Sequence, residues 1–132
     1  MAKVLLSRVL QIASESNPRI SQIAREFKLY KTTGQLGTYI GKDVDIARPL
    51  SAKQNELMHI HLFPKRLIVQ GIPLRQDKRT SDIFLIYCEG LVNPNIYCLI
   101  DIIWNDAHQK LRDEKYVRDN LVSVAERFRE AY

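Results

Sequence analysis

Apolar positions at helical spacing follow an Asn-Pro pair in the first quarter of the chain. Asn17 is a typical N-cap residue, and Pro18 suits the first position of a helix, where its missing N–H costs no hydrogen bond. After this pair, apolar residues recur three and four positions apart, at Ile20, Ile23, Ala24 and Phe27. The pattern predicts an amphipathic helix that ends before Gly34 and packs one face on another part of the protein.

Residues 57–63 alternate between apolar and polar positions, which is typical of a β-strand with one buried face. His59 and His61 point to one side of this strand, and the apolar residues between them point to the other. Pro64 ends the segment. The pattern predicts a strand that presents two imidazoles on the same face.

Two later segments, residues 83–88 and 96–104, are apolar at consecutive positions, as strands are when both of their faces are covered. The connection at 89–95 contains glycine, asparagine and proline and is typical of a hairpin. Antiparallel pairing of the two strands would place Cys88 beside Cys98.

The remaining segments are less regular. Residues 3–11 fit either a strand or a short helix. Residues 34–56 predict an irregular connection that is long enough to hide a short element or a functional loop. From residue 106 onward, apolar residues three and four apart predict helical structure. The order of strands and helices predicts an α+β protein with helices laid against a sheet.

The length of 132 residues and the apolar fraction of 45% predict one globular domain, residues 1–132. No apolar run reaches the roughly 18–20 residues that cross a bilayer, and the N-terminus does not resemble a secretory signal. We therefore expect no membrane partner. The two cysteines lie in apolar segments, which favours buried thiols in the reducing cytoplasm. A net charge of +5 favours a polyanionic partner, although a basic surface without that role fits equally well.

Three histidines are the main candidates for chemistry. His59 and His61 are about 7 Å apart along one strand face, a spacing that can chelate a metal. A zinc site wants three or four ligands, however, and only His108 and scattered carboxylates remain, so we expect no metal site. Two interpretations stay open for the strand pair. One is acid–base catalysis, since imidazole titrates near neutral pH, and the other is a merely solvent-facing position.

The segment 64–82 is the most basic part of the chain and contains Arg75, Lys78 and Arg79. These side chains either form a phosphate clamp, which arginine suits because its fork matches two phosphate oxygens, or belong to a solvated loop. Tyr87 lies in an apolar strand, where packing is its default role. No Walker A, dinucleotide-binding, serine hydrolase or zinc-finger motif occurs, and we expect no cofactor.

Four ordered motifs resemble the YafO-type toxins of bacterial toxin–antitoxin pairs, which are similar to the wider RelE/ParE group of small ribosome-dependent endoribonucleases. The motifs are H-x-H from residue 59, R-T-x-D from 79, Y-C-x-G from 87 and H-x-x-x-R-D from 108. The resemblance covers residues 57–132 well and the N-terminal third only loosely. It implies a RelE-like antiparallel sheet of about four strands, with N-terminal helical structure on one face and a C-terminal helix.

The same resemblance implies an activity, a set of partners and a site. The activity is cleavage of mRNA on the ribosome, by metal-free attack of the 2′-hydroxyl on the adjacent phosphate, and the partners are a cognate antitoxin protein, the ribosome and mRNA. The residues that it implies as catalytic are His59, His61, Arg79, Asp82, Tyr87 and His108, and those for RNA binding are Arg75, Lys78 and Arg112. Two other classes stay open: a gyrase-poisoning toxin of the same superfamily, and a non-catalytic RNA-binding domain.

Overall fold

A computed structural model describes residues 1–132 and contains a five-stranded sheet, a separate two-stranded hairpin, and helices on both faces of the larger sheet. The strands are β1 (Lys3–Leu6), β2 (Ile40–Asp45), β3 (Met58–Leu62), β4 (Ile68–Val69), β5 (Ile72–Pro73), β6 (Phe84–Glu89) and β7 (Ile96–Ile103). The helices are α1 (Arg8–Ser14), α2 (Pro18–Thr33), α3 (Leu50–Gln54), α4 (Ala107–Arg112), α5 (Glu114–Tyr116) and α6 (Ser123–Ala131), with a π-helix at Val117–Val122 and a 3₁₀ turn at Gln76–Lys78. No helix is both long enough and apolar enough to span a bilayer.

The strands of the larger sheet lie in the order β1-β7-β6-β3-β2, with β1 parallel to β7 and the other neighbours antiparallel. The predicted α+β class, with helical structure at both ends of the chain, is confirmed. The sheet has five strands where about four were expected, and one of its pairs is parallel. Strand β1 lies in the N-terminal segment that fitted either a strand or a helix, and β2 lies in the connection at 34–56 that was expected to be irregular.

That ambiguous segment, residues 3–11, is both a strand and the start of a helix. Ser7 stands at the junction between β1 and α1. Its Oγ accepts a hydrogen bond from the Leu10 N–H at 3.3 Å, as an N-cap does, and donates to the Ile100 carbonyl on β7 at 2.6 Å. One hydroxyl therefore starts the helix and holds it to the sheet.

Helix α2 begins and ends where its local signals predict. The Asn17 side chain accepts from the Arg19 N–H, Pro18 takes the first helical position, and Gly34 closes the helix at φ +81°. This left-handed conformation favours glycine, because a Cβ would be strained there. Ile20, Ile23 and Phe27 are buried against the sheet, so the predicted apolar stripe is confirmed.

The central strands are buried on both faces, as their continuous apolar sequence predicts. On one face, Leu85 and Tyr87 of β6 pack in a core with α2. On the other face, Phe84, Ile86 and Cys88 pack against the C-terminal helical segment from 107 onward. The two faces of β6 therefore belong to two different hydrophobic clusters, with a helical layer outside each.

The long connection at 34–56 contains the edge strand β2 and the short helix α3. Strand β2 was not predicted because its sequence, Ile40–Asp45, is mostly glycine and charged residues, and its pairing with β3 is what makes it a strand. The basic segment at 64–82 is likewise not a plain loop. It forms the hairpin of β4 and β5, followed by the 3₁₀ turn.

Cys88 and Cys98 lie opposite each other on β6 and β7, as predicted, and both are free and buried. Burial raises the pKa of the Cys88 thiol to about 12 and that of Cys98 to about 11. At neutral pH, both groups are therefore protonated and poor nucleophiles.

We expect Cys88→Ala and Cys98→Ala each to lower the free energy of unfolding by roughly 1–2 kcal/mol, because each opens a small cavity in the core. Native protein should not react with a thiol reagent at pH 8, and urea-unfolded protein should react at both cysteines. Urea titration of the variants and Ellman's assay measure these two effects. Fast reaction of the native protein would contradict the buried, protonated state.

Candidate active site

Three histidine side chains surround the ring of Phe84 at one end of the sheet. His59 and His61 extend from the same face of β3, as predicted, with ring centroids 5.7 Å apart. His108 joins them from α4, and its ring centroid is 5.4 Å from that of His61. Each of the three imidazoles lies 4.6–4.7 Å from the Phe84 ring. The sequence-predicted histidines therefore form one cluster.

His61 is buried, with only 4% of its surface exposed, so the interpretation of a solvent-facing pair is wrong for this residue. The Ser81 N–H donates to His61 Nδ1 at 2.8 Å, so the neutral ring carries its proton on Nε2. Burial lowers the pKa of His61 to about 4, and the neighbouring histidines act in the same direction. Each of these features favours a neutral imidazole at physiological pH.

His59 is half-buried, and its Nδ1 is buried without a hydrogen-bond partner. Burial lowers the pKa of His59 to about 4, although the carboxylate of Asp43 acts in the opposite direction. A buried ring nitrogen that lacks a partner is uncommon in folded proteins. His59 is thus a neutral imidazole in the wall of the site.

His108 and Asp82 form a half-exposed pair at the mouth of the cluster, where their side chains are 54% and 52% exposed. Asp82 Oδ1 accepts from the backbone N–H of His108 at 2.9 Å and lies 2.7 Å from the ring Nδ1. These bonds lower the pKa of Asp82, which keeps it a carboxylate. Because a carboxylate can only accept, Nδ1 carries the shared proton, and in the neutral tautomer of the ring Nε2 holds a lone pair.

The same contact positions α4. The residue that precedes this helix, Asp106, has a left-handed φ of 52° and makes no side-chain cap bond. Asp82 supplies the missing partners instead, through its carboxylate to the His108 N–H and its carbonyl to the Ala107 N–H. Asp82 therefore orients His108, and it makes no hydrogen bond to Arg79.

A groove of about 440 Å³ opens beside His59. Arg112 and Glu114 line it from the C-terminal segment, and Asp45 and Arg48 line it from the end of β2 and the loop that follows. Sequence reasoning missed Arg48, since the only signal was one basic residue inside an irregular stretch. The groove brings two guanidinium groups to the side of the histidine cluster.

The backbone of Arg79 lies near the histidine cluster. The carbonyl oxygens of Arg79 and His61 lie close to Gly41 of β2. A Cβ at position 41 would be only 3.0 Å from the His61 oxygen and would also meet the Arg79 oxygen. The half-buried Arg79 side chain donates from Nε to the Leu74 carbonyl at 3.0 Å. Its guanidinium makes no hydrogen bond to a histidine or to Asp82, and its two terminal nitrogens have no partner.

The other predicted RNA-binding residues lie on and near the hairpin. Arg75 is exposed and pairs with Asp77 at 3.3 Å. Lys78 is exposed and lines a shallow cavity together with Lys65 and Arg66. The groove beside His59 therefore holds two arginines and two carboxylates, whereas the cavity at the base of the hairpin is lined by three cations.

Tyr87 lies on the opposite face of the sheet from the histidines. Its hydroxyl donates to the Asp43 carboxylate, with oxygen distances of 2.8 and 2.9 Å, and its ring packs edge-on against Phe27. Burial and the Asp43 charge raise the pKa of Tyr87 far above its ordinary value. The structure thus separates Tyr87 from the other residues of the predicted catalytic set.

The arrangement provides three chemical functions in one place. An imidazole with an oriented lone pair can accept a proton, its carboxylate partner can stabilise the imidazolium, and guanidinium groups can stabilise developing negative charge. No group of three or more histidine, cysteine, aspartate or glutamate side chains is placed to hold a metal ion. Proton transfer next to an anionic ligand is the chemistry that these residues support.

Comparison with known proteins gives two matches. The family model described as "Toxin YafO, type II toxin-antitoxin system" matches residues 28–130. The chain is also 30% identical over 131 residues to the mRNA interferase toxin YafO of Escherichia coli (strain K12), an alignment that covers 91% of this chain and 90% of that protein. No solved structure matches the chain.

The lowered pKa values of His59 and His61 predict a loss of stability in acid. Unfolded imidazoles protonate near pH 6.5, whereas the folded ones stay neutral to about pH 4, so the unfolded state binds more protons in between. The free energy of unfolding should therefore be highest above pH 6.5 and fall as the pH drops towards 4. One fully effective histidine contributes on the order of 3 kcal/mol to this fall.

Urea unfolding at pH 7.5, 6.0 and 5.0 measures the fall. His61→Asn keeps an acceptor for the Ser81 N–H and removes one titrating group, so its stability should change less with pH than that of the wild type. Parallel curves for the two proteins would show that His61 is not held neutral by the fold.

Proposed function

The chain belongs to the YafO family of toxins from type II toxin–antitoxin systems, and we propose that it is an endoribonuclease that cleaves mRNA on the translating ribosome in the cytoplasm. The observation that carries the proposal is the Asp82–His108 pair, in which the carboxylate orients the imidazole; His59 of the same cluster lines a groove with Arg48 and Arg112. The name of the Escherichia coli relative, an mRNA interferase, supports the same reaction class.

The proposed reaction uses the RNA's own 2′-hydroxyl as nucleophile and needs no metal. The hydroxyl loses its proton, its oxygen attacks the adjacent phosphorus, and the bond from phosphorus to the 5′-oxygen breaks. The leaving 5′-oxygen takes a proton, and the products are a 2′,3′-cyclic phosphate and a 5′-hydroxyl. The protein must accept the first proton and stabilise the extra negative charge on the phosphoryl oxygens.

His108 is the proposed general base. Its Nε2 lone pair is directed by the hydrogen bond between Nδ1 and Asp82, and the carboxylate stabilises the imidazolium that forms after proton transfer. The half-exposed position lets a phosphate strand reach the ring. Asp82 acts through His108 and is a positioning residue.

His59 and His61 have a different role in this proposal. Because their pKa values are lowered to about 4, both rings are neutral at physiological pH and are poor sources of a proton for the leaving oxygen. The Nε2–H of His61 can still donate a hydrogen bond, and His59 forms the wall of the groove. We assign these two rings to positioning, and the proton for the 5′-oxygen to solvent.

Arginine side chains stabilise the phosphate charge. Arg112 and Arg48 line the groove, and Arg79 offers two free terminal nitrogens on a guanidinium that Leu74 holds in place. A guanidinium fork held in place can bind two phosphoryl oxygens without first losing conformational freedom. Arg75 and Lys78 lie farther along the exposed hairpin region, where they can contact the RNA backbone by charge.

The family also implies a protein antitoxin, and we propose that it covers the hairpin surface, defined here as residues 65–79. Exposed apolar side chains of this surface stand among cations, an arrangement that fits an acidic, amphipathic segment. The apolar residues are Ile68, Val69 and Ile72, and the cations are Lys65, Arg66, Arg75 and Lys78.

Because His108 is the proposed general base, its substitution should greatly lower the rate of RNA cleavage. His108→Ala should lower the single-turnover rate on ribosome-bound mRNA by about 10²–10⁴-fold, because the base is gone. Asp82→Asn should also be slow, since the amide no longer selects the tautomer that leaves Nε2 free. The assay measures 2′,3′-cyclic phosphate ends, with and without ribosomes and in the presence of EDTA.

The arginines are tested in the same assay. Arg112→Ala and Arg79→Ala should each lower the single-turnover cleavage rate by about 10²–10³-fold, and the lysine variants should recover part of that rate. Arg25→Ala, an exposed arginine on α2, is the matched control and should cleave normally. Wild-type rates in folded His108→Ala and Arg112→Ala would reject the proposed site, and toxicity without cleavage would point to a toxin that acts by binding.

Amide hydrogen exchange tests the antitoxin contact. In the complex with a co-expressed antitoxin, residues 65–79 should exchange more slowly than in the free toxin, while α1 should exchange at the same rate in both states. Protection that is confined to other segments would exclude the hairpin surface as the binding site.

A further inference from the structure

Three aromatic rings and a guanidinium form a second cluster, which the proposed reaction does not use. Phe63 lies 5.0 Å from Tyr39 and 6.1 Å from Trp104 between ring centroids, and its ring is nearly parallel to that of Trp104, at 24°. The Arg19 guanidinium lies 5.3 Å from the centre of the Phe63 ring. We call these four residues the aromatic cluster. Its three rings are half-buried, and Arg19 is exposed.

The aromatic cluster stands at the same end of the sheet as the histidines. Phe63 follows His61 by two residues at the end of β3, and Trp104 follows Ile103, the register partner of Phe84. The aromatic rings pack on the α2 side of the sheet, while the histidines pack on the side of the C-terminal helices. A nucleic-acid strand that passes the end of the sheet at His108 can therefore reach both clusters.

Phe63 is held in a conformation that favours glycine. Its φ is 53°, and its N–H donates to the Tyr39 carbonyl at 2.9 Å. A bulky side chain is strained in this left-handed region, and such strain collects at functional sites more often than in ordinary packing. The turn after β3 thus keeps an aromatic side chain against Trp104 and Arg19 at a conformational cost.

We propose that Trp104 and Phe63 form a stacking surface for an unpaired base of the RNA strand, next to the scissile phosphate, and that Arg19 contacts the adjoining phosphate. The inference rests on the proposed function and names the part of the substrate that this cluster holds. Aromatic faces stack on any of the four bases, and an arginine beside them adds charge for the backbone. The cluster positions the strand and takes no part in proton transfer.

Trp104 is the only tryptophan of the chain, so its fluorescence reports on this surface alone. A fully 2′-O-methylated oligoribonucleotide has no free nucleophile and serves as an uncleavable probe. We expect it to quench Trp104 fluorescence in the wild-type protein. An oligonucleotide of the same length made of abasic sites keeps the phosphates and should not quench.

The second measurement is the steady-state kinetics of RNA cleavage. It uses mRNA with or without ribosomes, whichever the wild-type protein cleaves. Trp104→Leu keeps apolar packing and removes the stacking ring, so KM should rise roughly tenfold or more with kcat changed little. Trp104→Phe should recover most of the loss. Phe128→Leu, which breaks a stacked pair at the far end of the sheet, is the matched control and should leave KM unchanged.

The two proposals fail in different ways. Equal quenching by both oligonucleotides, or a wild-type KM in folded Trp104→Leu, would overturn the stacking surface and leave the nuclease proposal intact. Base-dependent quenching in a protein that cleaves no RNA would support the stacking surface and overturn the nuclease. If Trp104→Leu does not fold, the fluorescence comparison in the wild type decides the question.

Discussion

The burial of β6 on both faces is the constraint on which the rest of the structure depends. Its side chains alternate between two cores, so one helical layer must cover each face of the sheet. Helix α2 covers one face, and the C-terminal helical segment covers the other. This second layer brings His108 back to Phe84, the ring around which the three histidines assemble. The candidate active site is therefore a consequence of how the second core is closed.

The same burial divides the histidines into two kinds. His61, and to a lesser degree His59, lie deep enough that the charged imidazolium is disfavoured, which lowers both pKa values. His108 lies at the mouth of the cluster, where a carboxylate orients it and solvent reaches it. In the proposed reaction, the exposed ring therefore transfers the proton and the buried rings position the phosphate.

Cationic side chains lie in two separate places near the candidate site. Arg48 and Arg112 flank the wall formed by His59, whereas the hairpin surface carries a separate group of cations and exposed apolar side chains. A nuclease of this size must bind a polyanion and also be held inactive by a protein partner. The proposal uses the arginines of the groove for the scissile phosphate, and the exposed hairpin surface for the acidic, amphipathic segment of the antitoxin.

Local signals in the sequence determined helix α2, with its caps at Asn17 and Gly34, and the strands β3, β6 and β7. They also predicted that Cys88 lies opposite Cys98, and the ordered motifs of the sequence indicated the family. Each of these depends on residues close together in the chain or on a continuous apolar pattern. Long-range contacts decided the rest. Strand β1 exists because β7, more than 90 residues later, pairs with it, and β2 is a strand only because β3 lies beside it.

The site shows the same limit. The sequence predicted the three histidines and Asp82, but only the tertiary structure joined Asp82 to His108, buried His61, placed Arg48 in the groove and put Tyr87 on the opposite face. The alternation of a strand tells which residues share a face, because side chains alternate along it with a period of two. It does not tell to which of the two cores that face belongs. The answer depends on which helix packs against the face, and that helix comes from a distant part of the chain.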